Sequence, residues 1–149
     1  MIKAEVRFDT SRLDRMLHDF PSALARAQRR ALEAAGQLVA SRTTLAFRDP
    51  KLRPSPWAPR KDGKSKHPLL IKSGALRQSI KWRLAGTNAV VVGSDKKYGP
   101  YHQFGTKNMP ARPFFPIDAH GRLVPEMARK INRTIERIYA EELGKITPG

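Results

Sequence analysis

Residues 98–115 read YGPYHQFGTKNMPARPFF, the stretch on which the prediction of this fold depends most. It places aromatic side chains, glycines, prolines and two cations in one short segment. Proline removes a backbone donor and glycine relaxes the backbone, so the segment is too irregular for a long helix or strand. The composition therefore predicts an ordered loop that its aromatic side chains anchor.

The chain before this segment predicts a strand followed by two helices. Residues 2–8 alternate apolar and charged side chains, with the period of two that is typical of a strand with one buried face. Residues 10–20 predict a short helix that Thr10 or Ser11 caps. Residues 21–47 begin with proline, are rich in alanine, leucine and arginine, and predict a long helix. At 1.5 Å per residue this helix is about 40 Å long, so we expect another subunit to cover part of it.

A β-hairpin is predicted in the middle of the chain. Residues 69–78 combine an apolar lead-in with a turn of helix that Ser73 caps. Residues 80–84 then alternate apolar and cationic side chains, and after the turn AGTN residues 89–94 return as AVVVGS. This pattern is typical of two antiparallel strands joined by a short turn.

The last third of the chain completes an α+β pattern. Residues 113–118 predict one short edge strand, since proline is tolerated at sheet edges. Residues 122–143 carry apolar side chains at helical spacing and predict a C-terminal helix, with a tail over residues 144–149. We therefore expect a single domain over residues 1–149. Its fold is predicted as a small, mainly antiparallel sheet of about four strands, packed with the long helix and the C-terminal helix.

The composition restricts the classes of function. The chain has 29 Lys and Arg against 13 Asp and Glu, and its net charge of +16 predicts a polyanion or an acidic protein surface nearby. It has no cysteine, which excludes disulfides and a thiolate zinc site. No apolar run is long enough to cross a membrane and no signal peptide is predicted, so we expect synthesis in the cytoplasm and no membrane partner.

Residues 48–68 read RDPKLRPSPWAPRKDGKSKHP and predict a long, flexible, basic and proline-rich loop. Two interpretations stay open. The loop is a basic arm that touches DNA or an acidic partner, a solvated loop with Trp57 folded back on the core, or both at once. The candidate contact residues of such an arm are Arg48, Lys51, Arg53, Arg60, Lys61, Lys64 and Lys66.

The motifs of common enzymes and cofactor sites are not found. The histidines do not have the close helical spacing of a metal site, and the sequence has no Walker, dinucleotide-binding or GxSxG motif. His102 is the best catalytic candidate, because a histidine beside Tyr98 and Arg112 has the groups needed to cleave RNA by acid–base chemistry. The alternative is structural, with the imidazole bonded to the backbone and the tyrosines and Phe104 packed beneath it. Arg112 either bridges backbone carbonyls or a carboxylate, or projects into an interface.

Four pieces of the sequence stand out in a fixed order over roughly residues 56–115. They are PWAP from Pro56, LLIKSGALRQSI from Leu69, VVVGS with Tyr98 and YHQFG after it, and MPARPF from Met109. In this order they resemble the phage virion morphogenesis family, the tail-completion or neck proteins of long-tailed bacteriophages and prophages. The sequence departs from the family pattern at Gly99-Pro100 and at Phe115-Pro116, which affects the expected loop shape.

The resemblance implies a structural protein without enzymatic activity or cofactors. Family members look like small α+β subunits that work as rings, with six-fold symmetry favoured where they cap a tail tube. The implied partners are further copies of the chain, tail-tube and neck or head-completion proteins and, non-specifically, packaged DNA. The implied location is the head-proximal end of the tail in the virion, after assembly in the host cytoplasm. The expected subunit or partner contact loop contains Tyr98, Tyr101, His102, Gln103, Phe104, Arg112 and Phe114.

Other functions stay open on the sequence alone. A head-closure or adaptor ring on the portal side belongs to the same class, and twelve-fold symmetry would distinguish it. A small basic RNA-cleaving enzyme that uses His102 is the alternative from another class. A plain DNA-binding protein would bind duplexes with an affinity that falls steeply with salt.

Overall fold

The computed structural model describes residues 2–7, 21–61, 69–70 and 74–145, with residues 2–7 described by their backbone alone. Four sequence-based predictions concern residues outside these ranges. They are the short helix over residues 10–20, the Ser73 cap, the partner contacts of Lys64 and Lys66, and most of the tail over residues 144–149.

The described residues form an α+β fold, as predicted. Both long helices are confirmed, the first ending one residue before the predicted position, and so is the hairpin over residues 80–94. In chain order the elements are β1 (Ile2–Arg7), α1 (Pro21–Ala46), a 3-10 turn (Pro50–Leu52), α2 (Ala75–Gln78), β2 (Lys81–Ala85), β3 (Ala89–Ser94), α3 (Gly99–Phe104) and α4 (Pro125–Gly144).

The sheet has the strand order β1-β3-β2 and both pairings are antiparallel. The central strand β3 is buried along its whole length. Within the described residues the sheet has three strands, whereas about four are predicted. The expected edge strand over residues 113–118 forms only an isolated bridge between Ile117 and Leu123. The prolines at 113 and 116 explain this difference, because each lacks the N–H that would extend a ladder.

Helix α1 packs closely against β2 and β3. A Cβ atom at Gly36 would lie 2.7 Å from Cγ2 of Val90 and 3.1 Å from the Trp82 ring, so glycine permits this approach. Trp82 donates its indole N–H to Oε1 of Gln37 at 3.0 Å. The main core forms between this helix and the sheet, and continues through Phe47 to Phe114 and Phe115.

Helix α4 runs antiparallel along α1. Near the start of α1, Leu24, Ala27 and Ala31 pack against Tyr139 of α4. Ion pairs join the opposite ends of the two helices, from Arg30 to Glu142 and from Arg42 to Glu126. Helix α4 of the same chain therefore covers part of α1, and the coverage of α1 by another subunit stays a prediction. None of the described helices is long and apolar enough to cross a membrane.

Candidate functional site

Residues 99–104 form the short helix α3 and not an irregular loop, which corrects the prediction for this part of the segment. Pro100 is accepted because the N–H groups of a first helical turn have no partner within the helix. Gly105 ends the helix with φ 75°, and a Cβ atom there would lie 2.8 Å from the backbone N of Ala111 and 2.9 Å from the carbonyl O of Met109. Only glycine fits this turn.

Gln103 holds α3 to the following segment. Its side-chain oxygen accepts hydrogen bonds from the backbone N–H groups of Phe114 and Phe115, both at 3.0 Å. Gln103 is 4% exposed, and both phenylalanines are fully buried, with Phe114 stacked 4.9 Å from Phe47. Gln103 and Phe114 belong to the expected contact loop, yet their burial gives them a structural role and leaves them out of reach of a partner.

Arg112 bridges backbone carbonyls, which is one of its two predicted alternatives. Its Nε donates to the carbonyl of Ala58 at 2.9 Å and its NH2 to that of Pro59 at 3.1 Å. Its backbone N–H donates to the carbonyl of His102 at 2.7 Å. The guanidinium therefore ties residues 58–59 to the C-terminal end of α3.

Trp57 is folded back on the core, as the second interpretation of residues 48–68 predicts. Its indole N–H donates to the carbonyl of Pro113 at 2.7 Å, and its ring meets Phe47 edge to face. The guanidinium of Arg53 lies 3.5 Å from the centroid of the Trp57 ring. The described part of this loop thus has defined contacts with the core, and the flexibility of residues 48–68 stays a prediction.

The cations of this loop separate into two groups. Arg53 donates to the carbonyls of Ala46 at 2.7 Å and Phe47 at 3.1 Å, and burial lowers its pKa. It therefore serves the fold of this subunit. Among the other predicted contact residues that the structure describes, Arg60 is half-buried, and the exposed ones are Arg48, Lys51 and Lys61.

Tyr101 and Phe104 do not pack beneath His102, contrary to the structural alternative for this segment, whereas Tyr98 contacts the His102 ring edge-on. Tyr98 is 41% exposed, Tyr101 55% and Phe104 64%. They are spaced three residues apart, so they share one side of α3 while Gly99 and Gln103 are buried on the other. We call these three side chains the aromatic face. Exposed aromatic side chains grouped on one element mark a contact surface more often than an ordinary surface.

His102 is half-buried behind the aromatic face, with its ring edge-on to Tyr98 at 6.0 Å between centroids. Its Nδ1 is buried and has no hydrogen-bond partner in the part of the chain that the structure describes. Burial, and secondarily the charge of Arg112, lower the pKa of His102, which favours the neutral form of the imidazole. A cleft of about 600 Å³ lies beside it, lined also by Arg60 and Lys61.

This geometry bears on the catalytic hypothesis for His102. The guanidinium of Arg112, which would steady a phosphate, already donates to two backbone carbonyls. RNA cleavage by His102 stays a prediction. In the described ranges, no group of three or more histidine and acidic side chains is arranged to hold a metal ion.

Sequence reasoning missed Leu45 as a surface residue. Helical spacing places it seven residues after Leu38, on the apolar stripe of α1, so no local signal in the sequence marks it as a surface residue. Its side chain is nevertheless 56% exposed, while the neighbours Thr43 and Ala46 are the buried residues of this turn.

The described residues form a small α+β protein in which buried polar side chains such as Gln103 support the exposed aromatic face. This face is suited to contacts with other proteins. Comparison with known proteins gives its class. The model of the phage virion morphogenesis family matches residues 8–137, and the chain belongs to this family. The resemblance drawn from the sequence pieces is thereby confirmed, and the protein has a role in phage structure or morphogenesis.

A curated relative is described as Mu-like prophage FluMu G protein 1 of Haemophilus influenzae. The two chains are 38% identical over 56 residues, which cover 38% of this chain and 37% of the relative. The matched stretch is thus well under half of the relative's length. No solved structure matches the chain.

Proposed function

We propose that the protein is a structural subunit of the phage head–tail junction, which completes or terminates the tail and allows the head to join it. The subunit acts as a ring of identical copies, with six-fold symmetry favoured, and carries out no chemical reaction. Membership of the phage virion morphogenesis family supports a virion role. The observation that carries the contact role is the exposed aromatic face.

The aromatic face is presented by a rigid support. Gln103 ties the C-terminal end of α3 to Phe114 and Phe115, and Arg112 ties the segment to residues 58–59, so little backbone freedom remains to be lost there on binding. Tyrosine and phenylalanine give large contact areas and are enriched at protein interfaces. In a head-to-tail ring the aromatic face of each subunit would bind a different, complementary surface of the next copy.

The other proposed partners are argued from the net charge of the protein and from its proposed place in the virion. The proposed neighbours are the tail tube and the neck or head-completion proteins. Packaged DNA passes or ends near such a ring, and a net charge of +16 suits a non-specific contact with it. Arg129, Lys130 and Arg133 are exposed close together on α4 and extend the cationic surface beyond the predicted arm.

The proposal is tested by complementing a phage that lacks this gene. A variant with Tyr101→Ser and Phe104→Ser removes two exposed side chains and is expected to fold, as circular dichroism will check. We expect separate heads and tails in negative-stain images of lysates with this variant. The matched control changes Lys107 and Asn108, exposed neighbours in the same segment, to serine, and joined particles are expected.

Joined, infectious virions made without the protein would refute the proposal. Averaged images of necks that contain the protein give the ring symmetry. Twelve-fold averages on the portal side would favour the head-closure or adaptor role instead. A nuclease activity that His102→Ala abolishes would replace the structural role with the enzymatic one.

A further inference from the structure

The outer edge of β2 pairs with no strand among the residues that the structure describes. β2 binds β3 along one edge, from Lys81 opposite Gly93 to Ala85 opposite Ala89. An unpaired edge offers a row of backbone donors and acceptors to another extended segment. Such an edge can therefore accept an added strand.

A hollow of about 630 Å³ lies beside this edge on the side of the sheet that faces α1. Its apolar walls are formed by Ile80, Trp82, Ala40 and Leu45, and its polar walls by Lys81 of the strand and by Gln37, Ser41 and Thr44 of α1. The indole of Trp82 is fixed by its hydrogen bond to Gln37, and Leu45 is largely exposed. The apolar wall therefore exists before any partner binds.

The opposite side of the same strand is cationic. Lys81 and Arg83 are both exposed and, being two residues apart, lie on one face of β2. They line a smaller hollow of about 220 Å³, together with Val91 and Asp95. Lys81 and Trp82 border both hollows, so the α1 side of the edge is the more apolar one and the other side the more cationic one.

We propose that the β2 edge binds an extended segment of a partner protein in which apolar and acidic side chains alternate. Because side chains alternate across a sheet, the apolar ones of an added strand would fill the hollow beside Leu45 and Trp82. The acidic ones would lie beside Lys81 and Arg83, where opposite charges across strands attract. A second copy that pairs through its own β2 edge is a less favourable occupant, because Lys81 and Arg83 of the two copies would then lie beside like charges. This inference does not rest on the head–tail role.

The probe is a capped octapeptide that alternates valine and glutamate, titrated calorimetrically into the full-length protein. We expect binding that Arg83→Glu weakens about tenfold, because the replaced charge then repels the peptide. The same variant should bind the matching valine–lysine peptide more tightly than the wild type does. Leu45→Asp should also weaken binding of the glutamate peptide. Both positions are exposed, so the variants are expected to fold.

Two controls separate strand addition from simple charge attraction. Arg133→Glu makes the same charge change on α4 and must leave the affinity unchanged; an equal loss would show that the peptide senses only net charge, and would overturn the proposal. A peptide methylated on alternate backbone nitrogens must bind much more weakly, and equal binding would exclude strand pairing. Failure of the unmodified peptide to bind at about millimolar concentration would also refute the inference. So would self-association through this edge, seen as a change in oligomer size with Arg83→Glu.

Discussion

At the scale of single residues, the segment over residues 98–115 is shaped by side chains that satisfy backbone groups. Gln103 accepts from two consecutive N–H groups, and Arg112 donates to two consecutive carbonyls. These groups would otherwise be left without partners in a segment that has few regular backbone hydrogen bonds, at a cost of about 1–3 kcal/mol for each one buried. In this segment, specific side chains therefore make the hydrogen bonds to backbone groups that a helix or a sheet makes elsewhere.

Gly105→Ala is expected to destabilise the protein more than Gly121→Ala. Both glycines have positive φ, 75° and 77°, so both alanines are strained by the backbone. Only at Gly105 does the new Cβ meet backbone atoms, at 2.8 Å from Ala111, whereas at Gly121 nothing lies within 4 Å. We expect losses of about 3 kcal/mol and about 1 kcal/mol in the free energy of unfolding, measured with urea. Equal losses would show that the turn relaxes around the added methyl group.

At the scale of elements, α1 organises both layers of the fold, with the sheet on one side and α4 along another. Its contact with the sheet depends on Gly36, and its contact with α4 ends in a cluster of ion pairs around Glu142. Glu142 is 3% exposed and accepts from Arg30 at 2.8 Å, Lys145 at 3.1 Å and Arg26 at 3.5 Å. The contact with the sheet depends on close packing, whereas the contact with α4 ends in ion pairs. Added side-chain volume should therefore weaken the first contact, and acid the second.

Gly36→Ala is expected to destabilise the protein by about 1–3 kcal/mol, although alanine is the better helix former by about 1 kcal/mol. The new methyl group would lie 2.7 Å from Cγ2 of Val90. Adding Val90→Ala removes that atom, so the double variant should lose less free energy of unfolding than the sum of the single variants. Strict additivity in chemical unfolding would contradict the close helix–sheet contact.

The cluster around Glu142 predicts loss of stability in acid. Hydrogen bonds from Lys145 and Arg30 hold the pKa of Glu142 below its ordinary value of 4.5. A lowered pKa means that the stabilisation is present above pH 4.5 and is lost as the pH falls through the folded-state pKa. We expect Tm to fall between pH 5 and pH 3, and Glu142→Gln to lower Tm at pH 7 and flatten this dependence.

The control for the acid prediction is Glu33→Gln, which breaks the exposed pair with Arg29 within α1. Exposed pairs contribute little to stability, so its Tm profile should follow that of the wild type. An unchanged acid slope in Glu142→Gln would show that other groups control the transition. Glu141 and Glu126, whose pKa values are lowered by hydrogen bonds from arginines, would be the next candidates.

At the scale of the whole molecule, separate elements carry separate surface chemistries. The aromatic face lies on α3, the partly cationic edge that no described strand pairs belongs to β2, and exposed cations cluster on α4. A protein with several contact surfaces of different chemistry suits assembly between unlike neighbours. The net charge of +16 acts on all of them and makes association dependent on salt.

We expect non-specific binding of duplex DNA that weakens steeply between about 50 and 200 mM salt, measured by fluorescence anisotropy. Changing Arg129, Lys130 and Arg133 to glutamine should reduce the slope of log K against log salt by up to about three, which is about one for each phosphate that the variant no longer neutralises. The comparison variant, Arg48→Gln with Lys51→Gln, removes the exposed cations at the start of the predicted arm and should reduce the slope less. Negligible binding at low salt would exclude DNA as a direct partner.

The sequence by itself determined the elements whose signal is local and periodic. The long helix, the C-terminal helix and the hairpin follow from side chains repeating at helical or strand spacing, and their observed limits lie close to the predicted ones. The family also followed from the sequence, because its motifs are short and keep a fixed order along the chain. Such motifs can be recognised without knowledge of the fold. Net charge is likewise a property of composition alone.

Only the tertiary structure decided which side chains are free to act. Arg112 bonds to carbonyls 53 and 54 residues away, and Trp57 to a carbonyl 56 residues away, so no local pattern reveals these contacts. Tyr101 and Gln103 are near neighbours in one segment, yet one is exposed and the other buried. The physical reason is that exposure depends on what the rest of the chain places opposite each side chain. Within residues 98–115 this separates the buried anchors of the fold from the aromatic face.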